Sequence, residues 1–243
     1  MCQAQPVSDP SGSPPNGHGS PVTAPFHLYL DSATRSDIER VLPNPLVYGV
    51  TTNPTLMRRA ALSRAALPDF VGAVLGLGAR VVHVQVEAVD SPSILRDARA
   101  SLDLASPGRI IPKIPATTAG FAAGAILSAE GVALTYTAVF APEQVLFAAM
   151  AGAAYAAPYL GRLEGEGHEA LAMIGQMQAV IERYGPATRL LVASVRTREA
   201  FRSLIDLGVG AITVPPRLLA ELLENPSTLD AERAFLAGLD KTP

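Results

Sequence analysis

The chain has 243 residues, 49% of them hydrophobic, one cysteine and a formal net charge of −3. That length and apolar content can fill one substantial core without division into two domains, and the slightly acidic balance argues against a general polyanion-binding surface, so nucleic acid is not an expected partner. Cys2 alone forms neither an intrachain disulfide nor a cysteine metal cluster, which fits a reducing compartment and gives a cytoplasmic location as the expectation.

Residues 1–25 are rich in Pro, Ser and Gly and carry almost no large apolar side chain, so they cannot offset the entropy of ordering. They are expected to form a flexible tail, and they lack the basic and apolar regions of a signal peptide. A single catalytic domain is expected over 26–243. From Phe26 onward, short β-type runs alternate with helical patterns, punctuated by Gly, Pro or Asp. Strands are expected at 26–31, 47–52, 80–86, 109–114, 132–138, 153–158, 189–194 and 210–214. Helices are expected at 34–42, 64–77, 92–104, 118–129, 142–151, 169–184, 197–207 and 216–224. Eight units of each kind predict an α/β fold, the (β/α)8 TIM barrel. A doubly wound open sheet competes, but no Gly-rich dinucleotide fingerprint follows any strand. The last segment, 228–239, carries Leu229, Ala231, Phe235, Leu236 and Leu239, and predicts an extra amphipathic helix lying across the barrel or a neighbouring subunit. The stretch 120–161 is poor in charge, but Glu130-Gly131 and Pro142-Glu143-Gln144 divide it, so no span of ~20 residues suits a membrane.

Lys113 stands out because it lies within the apolar, strand-like run Arg109-Ile110-Ile111-Pro112-Lys113-Ile114-Pro115. Burying an ammonium without a partner is costly and favours the neutral amine, a nucleophile. Taken alone, the residue also fits a strand-end lysine whose amine snorkels to solvent. Barrels of this class hold their reacting groups at the C-terminal ends of strands. Polar residues recur at seven successive expected ends: Asp31; Thr51-Thr52-Asn53; Gln85 and Glu87; Lys113; Thr137; Tyr159 and Arg162; Ser194 and Arg196. Strand alternation turns Lys113 and Ile111 inward, with Ile110, Pro112 and Ile114 toward the helices, and it groups Gln85 with His83 and Val81.

These groups suit class I aldol chemistry. Lys113 attacks a ketose carbonyl to form a Schiff base, and the protonated iminium accepts electrons as the adjacent carbon–carbon bond breaks. Asp31 handles the proton of the C4 hydroxyl, while Gln85, Thr137 and Tyr159 position a proton-relaying water. Asn53, with Thr52 beside it, is expected to bind sugar hydroxyls, and Arg162, Ser194 and Arg196 to hold a phosphate.

From about residue 26 to the C-terminus the chain resembles the transaldolase family, in particular its short members, which include fructose-6-phosphate aldolase. The resemblance rests on Leu28-Tyr29-Leu30-Asp31, Gly49-Val50-Thr51-Thr52-Asn53-Pro54, Lys113-Ile114-Pro115-Ala116-Thr117, Ala157-Pro158-Tyr159-Leu160-Gly161-Arg162-Leu163, Ala193-Ser194-Val195-Arg196 and Ala211-Ile212-Thr213-Val214-Pro215. It implies a Schiff-base lysine at Lys113, an acid/base aspartate at Asp31, a phosphate site at Arg162, Ser194 and Arg196, and an enzyme that needs no cofactor and no metal. It also implies sugar-phosphate substrates and a homo-oligomer such as a decamer. Gln85 and Tyr159 resemble the aldolase subgroup, whereas transaldolases typically have Glu and Phe there. Gly161-Arg162-Leu163 followed by Gly167-His168 resembles the short transaldolases.

Competing readings are weaker. Glu87 is more simply a solvated charge than a relay. His27, His83 and His168 are too scattered for a metal site, and His83 reads as a hydrogen-bonded core histidine. Tyr155 reads as packing, and Thr117-Thr118 as a helix start. The Lys-Thr-Ser-type segment of deoxyribose-phosphate aldolase is absent. A sugar-phosphate-binding barrel without turnover is the reading from a different functional class.

Overall fold

The computed structural model describes residues 26–239 apart from 166 and 168, so the expected tail at 1–25 and His168 lie outside the described residues. Eight parallel strands close into a barrel in sequence order, in agreement with the predicted (β/α)8 architecture. The first units are β1 (His27–Asp31), α1 (Arg35–Val41), β2 (Val47–Thr51), α2 (Pro54–Arg59), α3 (Leu67–Gly76), β3 (Val81–Gln85) and α4 (Ser91–Leu102). They continue with β4 (Ile110–Pro115), α5 (Thr118–Ala129), β5 (Thr135–Val139), α6 (Pro142–Met150), β6 (Tyr155–Pro158), α7 (Leu160–Gly165) and α8 (Ala170–Tyr184). The chain ends with β7 (Arg189–Val192), α9 (Arg198–Asp206), β8 (Ala211–Val214), α10 (Pro216–Leu223) and α11 (Pro226–Leu239).

Two short helices, α2 and α7, escaped the sequence reading. In α2, Pro54 occupies the first turn, where its missing N–H costs nothing. Asn53 caps that turn, its Oδ1 accepting from the N–H groups of Thr55 and Leu56, both at 3.0 Å. Helix α7 carries glycine at the second and last positions of a six-residue segment and buries Leu160 and Leu163, three apart on one face. The helix expected over 64–77 begins as a 3-10 turn at Arg64–Ala66 before α3.

Strand alternation sorts the core into two layers. Ile111 joins Tyr29, Val81, Tyr155, Ala157, Leu191 and Ala211 inside the barrel, whereas Ile110 and Ile114 pack outward with Val82, Val84 and Val86 against the helices. Gly49 makes room for this filling, because a Cβ there would lie 2.4 Å from the Val81 carbonyl oxygen and 3.0 Å from the Tyr29 ring. At the barrel floor the Tyr29 hydroxyl donates to that of Tyr155 at 2.8 Å, and the Tyr155 hydroxyl is hydrogen-bonded to His27 Nδ1 at 2.7 Å. His27 stacks on Tyr48 with ring centroids 3.7 Å apart. Burial, with the charges of Arg189 and Arg80, lowers the His27 pKa to about 4, so His27 is neutral at neutral pH.

The terminal helix forms as expected, but it is not laid across this barrel. Phe235 and Leu236 of α11 are 73% and 58% exposed. Among the described residues, no helix is long and apolar enough to cross a membrane.

Candidate active site

Parallel pairing aligns Gln85 with Lys113 and Lys113 with Thr135, while Asp31 pairs with Thr51. This register gathers the strand ends around a cavity of about 410 Å³ lined by, among others, Asp31, Asn53, Arg59, Gln85, Lys113, Tyr159, Arg162 and Ser194. Lys113 is only 3% exposed, and its Nζ donates to the carbonyl oxygen of Thr52 at 3.2 Å. One backbone acceptor orients the amine and leaves it without a carboxylate ion pair among the described residues. Thr52 itself is fully buried, and its hydroxyl donates to the His83 carbonyl oxygen at 3.0 Å. Its contribution to the site runs through its carbonyl rather than its side chain.

Asp31 accepts a hydrogen bond from the Thr51 hydroxyl at 2.7 Å. Because Thr51 uses its proton in that bond, the Thr213 hydroxyl, 2.6 Å away, donates to Thr51. Burial raises the Asp31 pKa above its ordinary value, against the opposing pull of the Lys113 charge and the Thr51 hydrogen bond. A carboxyl group raised in this way holds a proton more readily than an ordinary aspartate, which suits it to take and return one.

Across the pocket, the Thr137 and Tyr159 hydroxyls are 2.6 Å apart. The Tyr159 ring is held on two sides, by the Arg162 guanidinium 4.9 Å from its centroid and by the edge of Phe140 at 6.0 Å. Gln85 contributes a carboxamide whose buried Oε1 has no protein partner. Asn53 spends its Oδ1 on the α2 cap, which leaves its amide N–H groups for a ligand. Arg196 is exposed at the rim, and a Cβ on Gly161 would come within 2.9 Å of its Nε and of the Ser194 carbonyl and hydroxyl oxygens. Glycine is therefore required where α7 passes beneath the arginine.

Backbone strain is concentrated here. Ala138 and Ser194, both lining the pocket, adopt φ values of 56° and 61°, costing on the order of 1–3 kcal/mol each. Ala138 sits where the β5–β6 register shifts, so a bulge turns it toward the cavity.

The residues expected to be ordinary behave so. Glu87 is exposed and pairs with Arg64 at 3.4 Å, outside the Lys113 pocket. His83 is wholly buried, and its Nδ1 lies 3.0 Å from the Thr135 hydroxyl. Burial first, then the charges of Lys113 and His27, hold its pKa well below the usual range, so the ring is neutral. Tyr155 fills the barrel floor, and the Thr117 hydroxyl caps α5 by accepting from Gly120 N–H at 3.1 Å. Among the described residues no cluster of three His, Cys, Asp or Glu side chains could hold a metal ion.

Sequence reasoning did not assign roles to Thr213, Gly161, Ala138 or Arg59. Thr213 was detectable as a polar residue at an inward position of the last strand; Arg59 was not, because it depends on the unforeseen helix α2.

The model of the Transaldolase/Fructose-6-phosphate aldolase family matches residues 28–242. The chain belongs to this family. Its relatives include proteins named probable transaldolase. Those from Coprothermobacter proteolyticus and Dehalococcoides mccartyi are each 32% identical over 216 residues, covering 89% and 87% of this chain and 97% of each relative. One from Anaeromyxobacter sp. is 32% identical over 218 residues, covering 90% of this chain and 99% of that protein. The family and these transaldolase-like relatives indicate an aldolase-type enzyme.

Proposed function

We propose that the protein is a transaldolase-type class I enzyme that moves a dihydroxyacetone unit from a ketose phosphate to an aldose phosphate through a Schiff base on Lys113. The observation that carries this reading is the buried Lys113 amine, without a carboxylate ion pair among the described residues, facing a cavity shared with Asp31. The amine adds to the C2 carbonyl, and loss of water gives the iminium. Asp31 takes the C4 hydroxyl proton as C3–C4 breaks, and the bonding electrons enter the iminium to give an enamine. The aldose phosphate leaves, and the enamine attacks the next aldehyde. Arg162, Ser194 and Arg196 hold the phosphate in both halves of the cycle. The water bound by Thr137 and Tyr159 carries protons to and from the carbinolamine.

Gln85 and Tyr159 favour a second reading, in which a proton quenches the enamine and free dihydroxyacetone is released. Gln85 cannot ionise, so proton delivery falls to the Tyr159–Thr137 pair. Both readings are tested by incubating purified protein with fructose 6-phosphate, with and without erythrose 4-phosphate. Glyceraldehyde 3-phosphate formed only with the acceptor establishes the transferase; its formation with free dihydroxyacetone in the absence of acceptor establishes the lyase. Lys113→Met should abolish both. If parent and variant are equally inert, and borohydride traps no sugar adduct, the catalytic reading is wrong for this substrate pair and the reading as a sugar-phosphate-binding barrel without turnover moves ahead.

A further inference from the structure

The mechanism leaves His83 without a task, yet the fold places its imidazole at the centre of the barrel. The ring stands between the floor and the catalytic end, with the Tyr29 ring nearly perpendicular to it at 4.7 Å between centroids and the Tyr155 ring at 5.2 Å. Packing alone does not account for an imidazole here. Its Nδ1 lies 3.0 Å from the Thr135 hydroxyl, but the buried Nε2 has no hydrogen-bond partner among the described residues, whichever tautomer the ring adopts. A leucine or phenylalanine would fill the same space without leaving a buried polar atom unpaired.

Across the sheet, His83 is level with Ile111, and Thr135 is level with Lys113. Because β3, β4 and β5 are neighbours in that order, the bond from His83 to Thr135 crosses the inner face of β4 between Ile111 and Lys113. It lies beneath the lysine and ties together the strands on either side of it. The His83 backbone works from the other direction. Its carbonyl oxygen accepts from the Thr52 N–H at 3.2 Å and from the Thr52 hydroxyl at 3.0 Å, and the Thr52 carbonyl oxygen accepts from Lys113 Nζ at 3.2 Å. One residue thus braces the root of the lysine through its ring and the tip through its carbonyl. The ring does so uncharged, because burial, and then the Lys113 charge, oppose its protonation.

We propose that His83 is a positioning residue for Lys113: its bond to Thr135 closes the barrel under the lysine and fixes the direction in which the ε-amine leaves β4. The inference rests on the Schiff-base reading, since it concerns how often the amine stands in line with a ketose carbonyl. The groups proposed to hold the sugar, Asn53, Arg162, Ser194 and Arg196, make no hydrogen bond to His83 or Thr135. Releasing the brace therefore slows addition of the amine without weakening the hold on the sugar, and misplacing a reacting group by about 1 Å can cost roughly 10²-fold in rate.

The test is the rate at which fructose 6-phosphate labels the full-length protein with borohydride in excess, followed by intact mass across sugar concentrations. Thr135→Val replaces the hydroxyl by a methyl group of nearly the same shape. It should lower the labelling rate at saturating sugar about ten-fold, with the half-saturating concentration unchanged within about two-fold. Thr135→Ser keeps the hydroxyl and should stay close to the parent. His83→Leu should match Thr135→Val, and the double variant should be no slower than the slower single variant, because both remove one bond. A saturating rate that Thr135→Val leaves intact or that Thr135→Ser loses equally, a rise in half-saturating concentration in place of a slower rate, or losses that multiply in the double variant would each overturn the role of His83 while leaving the Schiff base standing. If circular dichroism shows His83→Leu unfolded, the comparison of valine with serine at 135 decides alone. A parent that takes no label overturns the Schiff-base reading and this inference with it.

Discussion

Asp31 carries a conflict between stability and chemistry. Its folded-state pKa is raised by burial, so the native chain binds this proton more tightly than the unfolded chain does. The contribution to stability therefore falls as pH rises from the ordinary value of 3.8 through the folded value, and above that window the buried carboxyl group is a net cost. Asp31→Asn should raise the melting temperature at pH 7 more than at pH 4, while kcat falls by about 10² to 10⁴, the usual worth of a general acid–base group. Calorimetry at the two pH values, paired with initial rates, checks both; a variant that melts lower at pH 7 would contradict the desolvation argument. Tyr159 offers a second residue-scale test. Removing its hydroxyl breaks the 2.6 Å contact with Thr137 and the proposed proton route to the enamine. Tyr159→Phe should reduce release of free dihydroxyacetone about ten-fold relative to transfer onto erythrose 4-phosphate, measured as a product ratio in one reaction.

At the scale of elements, the proposed phosphate end of the site depends on a close approach between α7 and the turn after β7. Gly161, Ser194 and Arg196 interlock so tightly that one methyl group at 161 must displace the arginine or the strained Ser194 turn. Gly161→Ala should raise KM for phosphorylated sugars about ten-fold or more, with a smaller loss of kcat, because it loosens about one charge-assisted hydrogen bond and leaves Lys113 untouched. An unchanged KM would remove Arg196 and Ser194 from the phosphate site. Helix α2 has an equally direct role: Asn53 starts it, and its faces separate two cavities that meet at Gln85.

Across the whole molecule, the barrel interior is layered by polarity. Titrating groups crowd the catalytic end, while neutral histidines and tyrosines fill the middle and floor. His27 refuses a proton until about pH 4, whereas the unfolded chain accepts one near 6.5. Its stabilising effect is complete above 6.5 and is lost progressively as pH falls toward 4, amounting to about 3 kcal/mol at most. The buried neutral His83 acts in the same direction. Urea midpoints at pH 7 and pH 4.5 should therefore differ less in His27→Gln than in the parent; equal differences would show that His27 titrates alike in both states.

The sequence by itself determined the repeating βα order, the inward face of each strand and most of the chemical groups, because side-chain period and strand-end position follow from local geometry. That is why Lys113, Asp31, Gln85, Tyr159, Arg162 and Ser194, spread over 164 residues of chain, could be named together. Tertiary structure decided what depends on neighbours distant in sequence. The Thr213–Thr51–Asp31 hydroxyl chain exists only because β8, β1 and β2 close the barrel, and Thr52 turns from a candidate ligand-binding residue into the backbone support of Lys113 because its hydroxyl finds the His83 carbonyl. The exposure of Phe235 and Leu236 likewise depends on where α11 leaves the barrel, which an amphipathic pattern does not specify. Local periodicity assigns a face to each side chain; only closure of the barrel assigns its partner.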